Sequence, residues 1–221
     1  MPFENRADAA HQLSVRLAEY RGRHPLVLAI PRGAVPMGVI LARALDGELD
    51  VVLVRKLRAP FNPELAVGSI DETGATYLDP DATGLWDREY LEREIAAQLE
   101  ILQARRVRYG AVETPRDPAE RVVIVVDDGI ATGSTMIAAL RSVRARHPAT
   151  LGAATAVAPP EALQLIRREA DRVVCLETPP LLQAIGLHFR DFSQVTDEDV
   201  VEALAESRRW PHHDVGATGT R

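Results

Sequence analysis

The stretch Val122-Val-Ile-Val-Val-Asp-Asp-Gly-Ile-Ala-Thr-Gly-Ser-Thr135 decides how the rest of the chain is read. Val122 to Val126 are all aliphatic, without a polar/apolar alternation, which is the pattern of a parallel strand buried on both faces. The strand ends in two adjacent carboxylates, Asp127 and Asp128, at the carboxyl end where open α/β sheets place their ligands. Neighbouring anions there repel each other and lose hydration, so they call for a cation, ribose hydroxyls or backbone donors. Ala131 to Thr135 then form a small-residue turn that enters a helix near Gly133. Such a turn aims backbone N–H groups and a positive helix end at a phosphate, with the Thr132, Ser134 and Thr135 hydroxyls as further donors. Either half alone reads equally well as a helix cap, because Asp, Ser and Thr are common helix starters. The ordered coincidence of strand, acid pair and hydroxyl-glycine turn points instead to a sugar phosphate, with the acids on the ribose hydroxyls and the turn on the 5′-phosphate. The turn has no Gly-Lys-Ser/Thr of a P-loop, no Rossmann glycine spacing and no Gly-x-Ser-x-Gly elbow.

Working outward, apolar runs alternate with amphipathic stretches, which predicts an α/β fold with a mostly parallel sheet flanked by helices. The runs read as strands are 26–30, 51–54, 65–70, 122–126, 151–157 and 173–176, and the predicted helices cover 7–20, 35–45, 85–109, 134–146, 161–170 and 197–208. The last begins at Thr196, whose side chain can cap while Asp199 reciprocates and Val195 and Val200 close a hydrophobic staple. A chain of 221 residues without internal repeats or low-complexity linkers is read as one domain over 1–209, followed by a loose polar tail over 210–221. His212 and His213 in that tail are read as solvated residues. A net charge of −6 argues against a protein that coats nucleic acid or a membrane surface, so small substrates are expected and nucleic acid is not. The one cysteine, Cys175, rules out a disulfide framework or a Cys-x-x-Cys motif, and no apolar run approaches membrane-spanning length. The expected location is cytoplasmic.

The segment VVIVVDDGIATGST resembles the phosphoribosyl-pyrophosphate motif of type I phosphoribosyltransferases. The wider chain, from Arg6 to about Val200, is similar to a group of bacterial phosphoribosyltransferases through Pro31-Arg-Gly-Ala-Val-Pro36, Arg55-Lys-Leu57 and Glu64-Leu-Ala-Val-Gly68. The resemblance implies that Asp127 and Asp128 face the ribose hydroxyls, that Ala131 through Thr135 cradle the 5′-phosphate, and that Gly129 is among the residues binding phosphoribosyl pyrophosphate. It implies a pyrophosphate loop, often with an unusual cis peptide, at Pro31-Arg32-Gly33, and pyrophosphate contacts from Arg55 and Lys56, read as ending the second strand. Independently, an Arg fork and exposed N–H groups at a sheet's carboxyl edge suit a pyrophosphate. Arg58 to Pro63 is read as a segment that could close over the site. Glu64 to Gly74 either includes the family's mobile loop or ends in an ordinary hairpin turn at Asp71-Glu-Thr-Gly74.

The activity implied is Mg²⁺-dependent transfer of the 5-phosphoribosyl group from phosphoribosyl pyrophosphate to a nitrogenous acceptor, a nucleobase, with release of pyrophosphate, in nucleotide metabolism and salvage. Arg32, Lys56, Asp127 and Asp128 are the candidate catalytic residues. Mg²⁺ would bind through substrate phosphates, touching Asp127 and Asp128 only indirectly. In family members that use 6-oxopurines the position of Ala131 is typically an Asp, so its absence counts against a hypoxanthine–guanine activity. A small C-terminal hood over the acceptor is expected in Gly186-Leu-His-Phe-Arg-Asp-Phe192, with Phe189, Asp191 and Phe192 as candidate acceptor contacts and core packing as the competing reading of the two rings. His188 is read as a packing or surface residue. A homodimer follows by family analogy. The alternative function is a non-catalytic sensor of phosphoribosyl pyrophosphate or a nucleotide on the same fold; a basic surface from Arg105, Arg106 and Arg108 would aid it, but the three are read first as the solvated charged face of a helix.

Overall fold

The structure is a computed structural model describing residues 2–78, 87–109 and 115–210, with side chains omitted over 62–66. Its chain order is α1 (Arg6–Arg16), β1 (Leu26–Ala29), α2 (Val35–Ala44), β2 (Glu48–Val51), β3 (Val54–Ala59), β4 (Asn62–Asp71) and β5 (Thr76–Leu78). There follow α3 (Arg88–Arg108), β6 (Val122–Asp127), α4 (Ser134–Arg144), β7 (Thr150–Val157), α5 (Pro160–Ile166), β8 (Arg172–Glu177) and α6 (Asp197–Ser207). The predicted tail from 211 onward lies outside the described residues.

Five strands pair in parallel in the order β2-β1-β6-β7-β8. Alternate residues of the two central strands enter different cores, as a sheet covered on both faces requires. Val27, Ala29, Ile124 and Val126 meet α1, α2 and α6 residues such as Leu13, Met37 and Leu204 on one face. Leu26, Leu28, Val123 and Val125 meet α4 and α5 residues such as Leu140 and Leu163 on the other. The order reverses between β1 and β6, and the helices that follow these two strands lie on opposite faces. That reversal opens a crevice at the strands' carboxyl ends, the position where such sheets bind ligands.

The expected strand over 51–54 is the end of β2 and the start of β3, and 65–70 belongs to β4. Strands β3, β4 and β5 form a separate antiparallel sheet. Arg55 and Lys56 therefore lie inside a hairpin strand rather than at the end of the second parallel strand. Periodicity could not distinguish the two, because Val51 to Leu57 is one nearly continuous apolar run with a basic pair set into it. The tip after β4 is an ordinary hairpin turn: Asp71 accepts from Thr73 N at 2.8 Å, Thr73 Oγ1 at 2.6 Å and Ala75 N at 3.0 Å.

A buried ionic cluster holds this tip to the main sheet. Arg106 Nη2 donates to Asp50 Oδ2 at 2.7 Å, and its Nε lies 3.4 Å from Glu72 Oε2. Ser142 of α4 hydrogen-bonds to Asp71. Arg106 is 7% exposed. Arg105, Arg106 and Arg108 assemble no basic surface, and the solvated helix face expected of them holds only in part: Arg106 turns inward, Arg105 donates to the Tyr109 hydroxyl and exposed Arg108 pairs with Asp197. The capping box at Thr196 is present in both directions, with Asp199 N donating to Thr196 Oγ1 at 3.1 Å and Thr196 N to Asp199 Oδ2 at 2.8 Å.

Candidate active site

The two turns flanking the crevice are anchored by their neighbours: Ile30 N donates to Val126 O at 2.9 Å and Ile130 N to Val157 O at 2.8 Å. Backbone pairing thus sets the height of the turn after β1 against that of the turn after β6. Asp127 and Asp128 stand where β6 leaves the sheet. Burial pushes the Asp127 carboxyl well above the usual carboxylate range, and the charge of Asp128 adds to the rise. Its Oδ1 accepts from Asp128 N at 2.9 Å. Asp128 is 8% exposed and receives Arg6 Nε on Oδ2 at 2.8 Å. Across the crevice, Gly33 leaves no room for a side chain, since a Cβ there would lie 2.1 Å from Asp128 Oδ2. The turn after β1 and the acid pair are therefore in direct contact, and only glycine permits it.

The turn before α4 carries the features of an anion cradle. Gly133 has φ of 83°, a left-handed conformation that glycine adopts without strain, and it supplies no side-chain cap. The first-turn N–H groups of α4 consequently have no strong capping acceptor, the nearest being Thr132 Oγ1 at 3.5 Å from Ser134 N. Thr132 and Thr135 are exposed, and Thr132 Oγ1 lies 3.0 Å from Ser134 Oγ. Ala131 is exposed beside them. Free donors, a positive helix end and clustered hydroxyls are the features by which a helix start can hold an anion.

The candidate cations are dispersed. The Pro31–Arg32 peptide is cis. Arg32 follows β1 as expected, and its Nη1 lies 3.7 Å from Asp197 Oδ1 at the start of α6. Lys56 shares a cavity of about 270 Å³ with Ser69, Tyr77, Ser134 and Arg141, which brings it beside the turn before α4. Arg55 faces elsewhere and donates to Gln98 of α3.

Ile185, just before the expected hood segment, sits so close to Gly129 that a Cβ there would meet its Cγ2 at 2.2 Å, a contact with no sign in the local sequence. Phe189 is 6% exposed, 5.3 Å from the Phe3 ring and 4.9 Å from Phe192, so it belongs to the core and does not present a face to an acceptor. Phe192 is half-buried and carries the Arg6 guanidinium at 3.8 Å from its centroid. Asp191 is exposed and bound by Ser193 through backbone and hydroxyl, contacts that lower its carboxyl's pKa. His188 Nδ1 lies 2.9 Å from Glu177 Oε2. Three residues of the site carried no readable local signal. Ile185, Arg6 and Asp197 sit in unremarkable helix-start or loop sequence, and only the fold brings them to Gly129, Asp128 and Arg32.

With this geometry in place, comparison with known proteins gives the family. The family model for the phosphoribosyl transferase domain matches residues 4–188. The chain belongs to that family. TT1426 from Thermus thermophilus is 44% identical, with a TM-score of 0.87 over 93% of this chain and 99% of that one. Two Mycobacterium tuberculosis proteins provisionally named phosphoribosyl transferase, Rv0571c of strain H37Rv and MT0597 of strain CDC 1551, are each 39% identical over 94% of this chain. The chain spans 47% of the length of each of these curated relatives.

Proposed function

We propose that this chain binds phosphoribosyl pyrophosphate and transfers its phosphoribosyl group to a nitrogenous acceptor, releasing pyrophosphate. The observation that carries the proposal is the uncapped amino end of α4 directly after an acid pair at the sheet's reversal point. The turn at 131–135 grips the 5′-phosphate through N–H groups and hydroxyls, and the carboxylates accept from the ribose hydroxyls. Holding both ends of the sugar fixes the anomeric carbon for attack, which converts encounter into orientation. As the bond to pyrophosphate breaks, the ring gains positive charge and the departing oxygens gain negative charge. The nearby carboxylates favour the former, and Arg32, released from Asp197, and Lys56 favour the latter.

Mg²⁺ fits this donor set: Asp127 and Asp128 stand side by side at the crevice, and burial, with the charge of Asp128, disfavours the Asp127 anion unless a cation is near. Asp127 and Asp128 would meet the ion through its waters, and the chemistry it supplies is neutralisation of pyrophosphate oxygens. Ala131 places no proton-handling group at the loop, which favours an acceptor other than a 6-oxopurine. A cytoplasmic homodimer is part of the proposal on family resemblance.

The test is calorimetric titration of phosphoribosyl pyrophosphate with Mg²⁺, followed by pyrophosphate release with a panel of pyrimidines, orotate, purines and amines. Saturable heat and release with one acceptor are expected. Binding without release from any acceptor would favour the sensor reading, and no heat at all would overturn both.

A further inference from the structure

The ion pair between Arg6 and Asp128 links two parts of the molecule that the chemistry must coordinate. Asn5 is extended, at φ of −163°, and its side chain accepts from Asp8 N at 3.0 Å, so Arg6 is the first residue of α1. The residues just before it are laced to the hood. Phe3 N donates to His188 O at 2.8 Å, Arg190 N to Phe3 O at 2.8 Å and Asp191 N to Glu4 O at 2.9 Å. Arg6 then makes three contacts at once. Its Nε donates to Asp128 Oδ2 at 2.8 Å, its Nη1 to Ser193 O at 2.7 Å, and its plane lies 3.8 Å from the Phe192 centroid. The side chains of Arg6 and Asp128 are 12% and 11% exposed, so little water competes with the pair.

We propose that Arg6 is a positioning residue that joins Asp128 to Phe192 and Ser193, so that occupation of the ribose site is transmitted to the segment expected to form the hood. This inference rests on the proposed function. A planar guanidinium is needed for it, because only a fork can serve a carboxylate and a carbonyl in one plane while offering its face to a ring. An ammonium at the end of a lysine can satisfy one of these at a time. Asp128 receives the Arg6 fork on Oδ2. A sugar hydroxyl bound by the acid pair moves or stiffens this carboxylate, and the fork carries the change to Ser193 and Phe192. Ile185 against Gly129 is a second contact between hood and loop, but it is apolar and senses no hydroxyl.

The test is hydrogen exchange of the folded full chain, with and without saturating phosphoribosyl pyrophosphate and Mg²⁺, in the wild type and in Arg6→Lys. Affinity is measured in parallel by calorimetry. In the wild type, exchange should slow at least about threefold in both 127–135 and 188–193. In Arg6→Lys it should slow in 127–135 only, with affinity reduced about tenfold, because a purely structural loss would lower the melting temperature without separating the two segments. If Arg6→Lys does not fold, Phe192→Leu keeps the ion pair and removes the ring contact, and a reduced hood response is expected. An equal hood response in the variant, or a wild-type loop response without one in the hood, overturns the inference alone. No binding by the wild type overturns the functional reading and this inference with it.

Discussion

Glu72 offers the most quantitative test of how the hairpin is held to the sheet. Its carboxyl is pushed up to about 7 from an ordinary 4.5, first by burial, against the attraction of Arg106 and with added repulsion from Asp50 and Asp71. Each tenfold change in an ionisation constant is worth about 1.4 kcal/mol, so ionised Glu72 costs the folded state about 3 kcal/mol. Between pH 4.5 and about 7 the folded chain binds more protons at this site than the unfolded chain. The contribution of protonated Glu72 is thus fully present below 4.5 and is lost as pH rises through about 7. Glu72→Gln removes the charge and keeps the shape, while Arg106 retains Asp50 at 2.7 Å. Urea unfolding at pH 8 should show the variant more stable by about 2–3 kcal/mol, or a melting temperature higher by about 5–10 °C for a chain of this size. At pH 5 the gain should fall to roughly a quarter of that, below about 1 kcal/mol. A variant no more stable than wild type at pH 8, or one with the same gain at both pH values, would refute the reasoning.

Asp127→Asn should raise the melting temperature of the ligand-free protein, because it relieves a carboxylate that burial and Asp128 destabilise, while retaining an acceptor for Asp128 N; calorimetry should show phosphoribosyl pyrophosphate affinity falling at least about tenfold. Gly33→Ala would set a Cβ 2.1 Å from Asp128 Oδ2, so a stability loss of about 1–3 kcal/mol by denaturant unfolding should accompany weaker substrate binding. Unchanged affinity would show that the two turns are not in contact. Thr196→Ala deletes the side-chain half of the capping box and should cost about 1 kcal/mol in thermal unfolding, with Thr196→Ser restoring most of it.

The turn between β6 and α4 is legible in the sequence because its signals are local. An unbroken aliphatic strand, an acid pair and a hydroxyl-glycine turn occupy consecutive positions, and the backbone carries them directly from β6 into α4. The capping box at Thr196 was legible for the same reason, as both partners lie within one helical turn. The basic residues were harder. Arg55 and Lys56 are adjacent in sequence, yet a strand sends alternate side chains to opposite faces, so one reaches Gln98 and the other the cavity beside Ser134. Arg106 reads as a solvated helix charge until Asp50 and Glu72 arrive from other elements.

By itself, then, the sequence determined a covered parallel sheet and the order of acids and donors at the end of β6, because periodicity and turn chemistry act over a few residues. Tertiary structure alone decided that a second, antiparallel sheet carries Lys56, that Phe189 packs inward, and that Arg6 meets Asp128 across 122 positions of chain. Such pairings are fixed by which buried charge finds a counter-charge and which ring finds a cavity once the layers close, and no short window of residues encodes those outcomes.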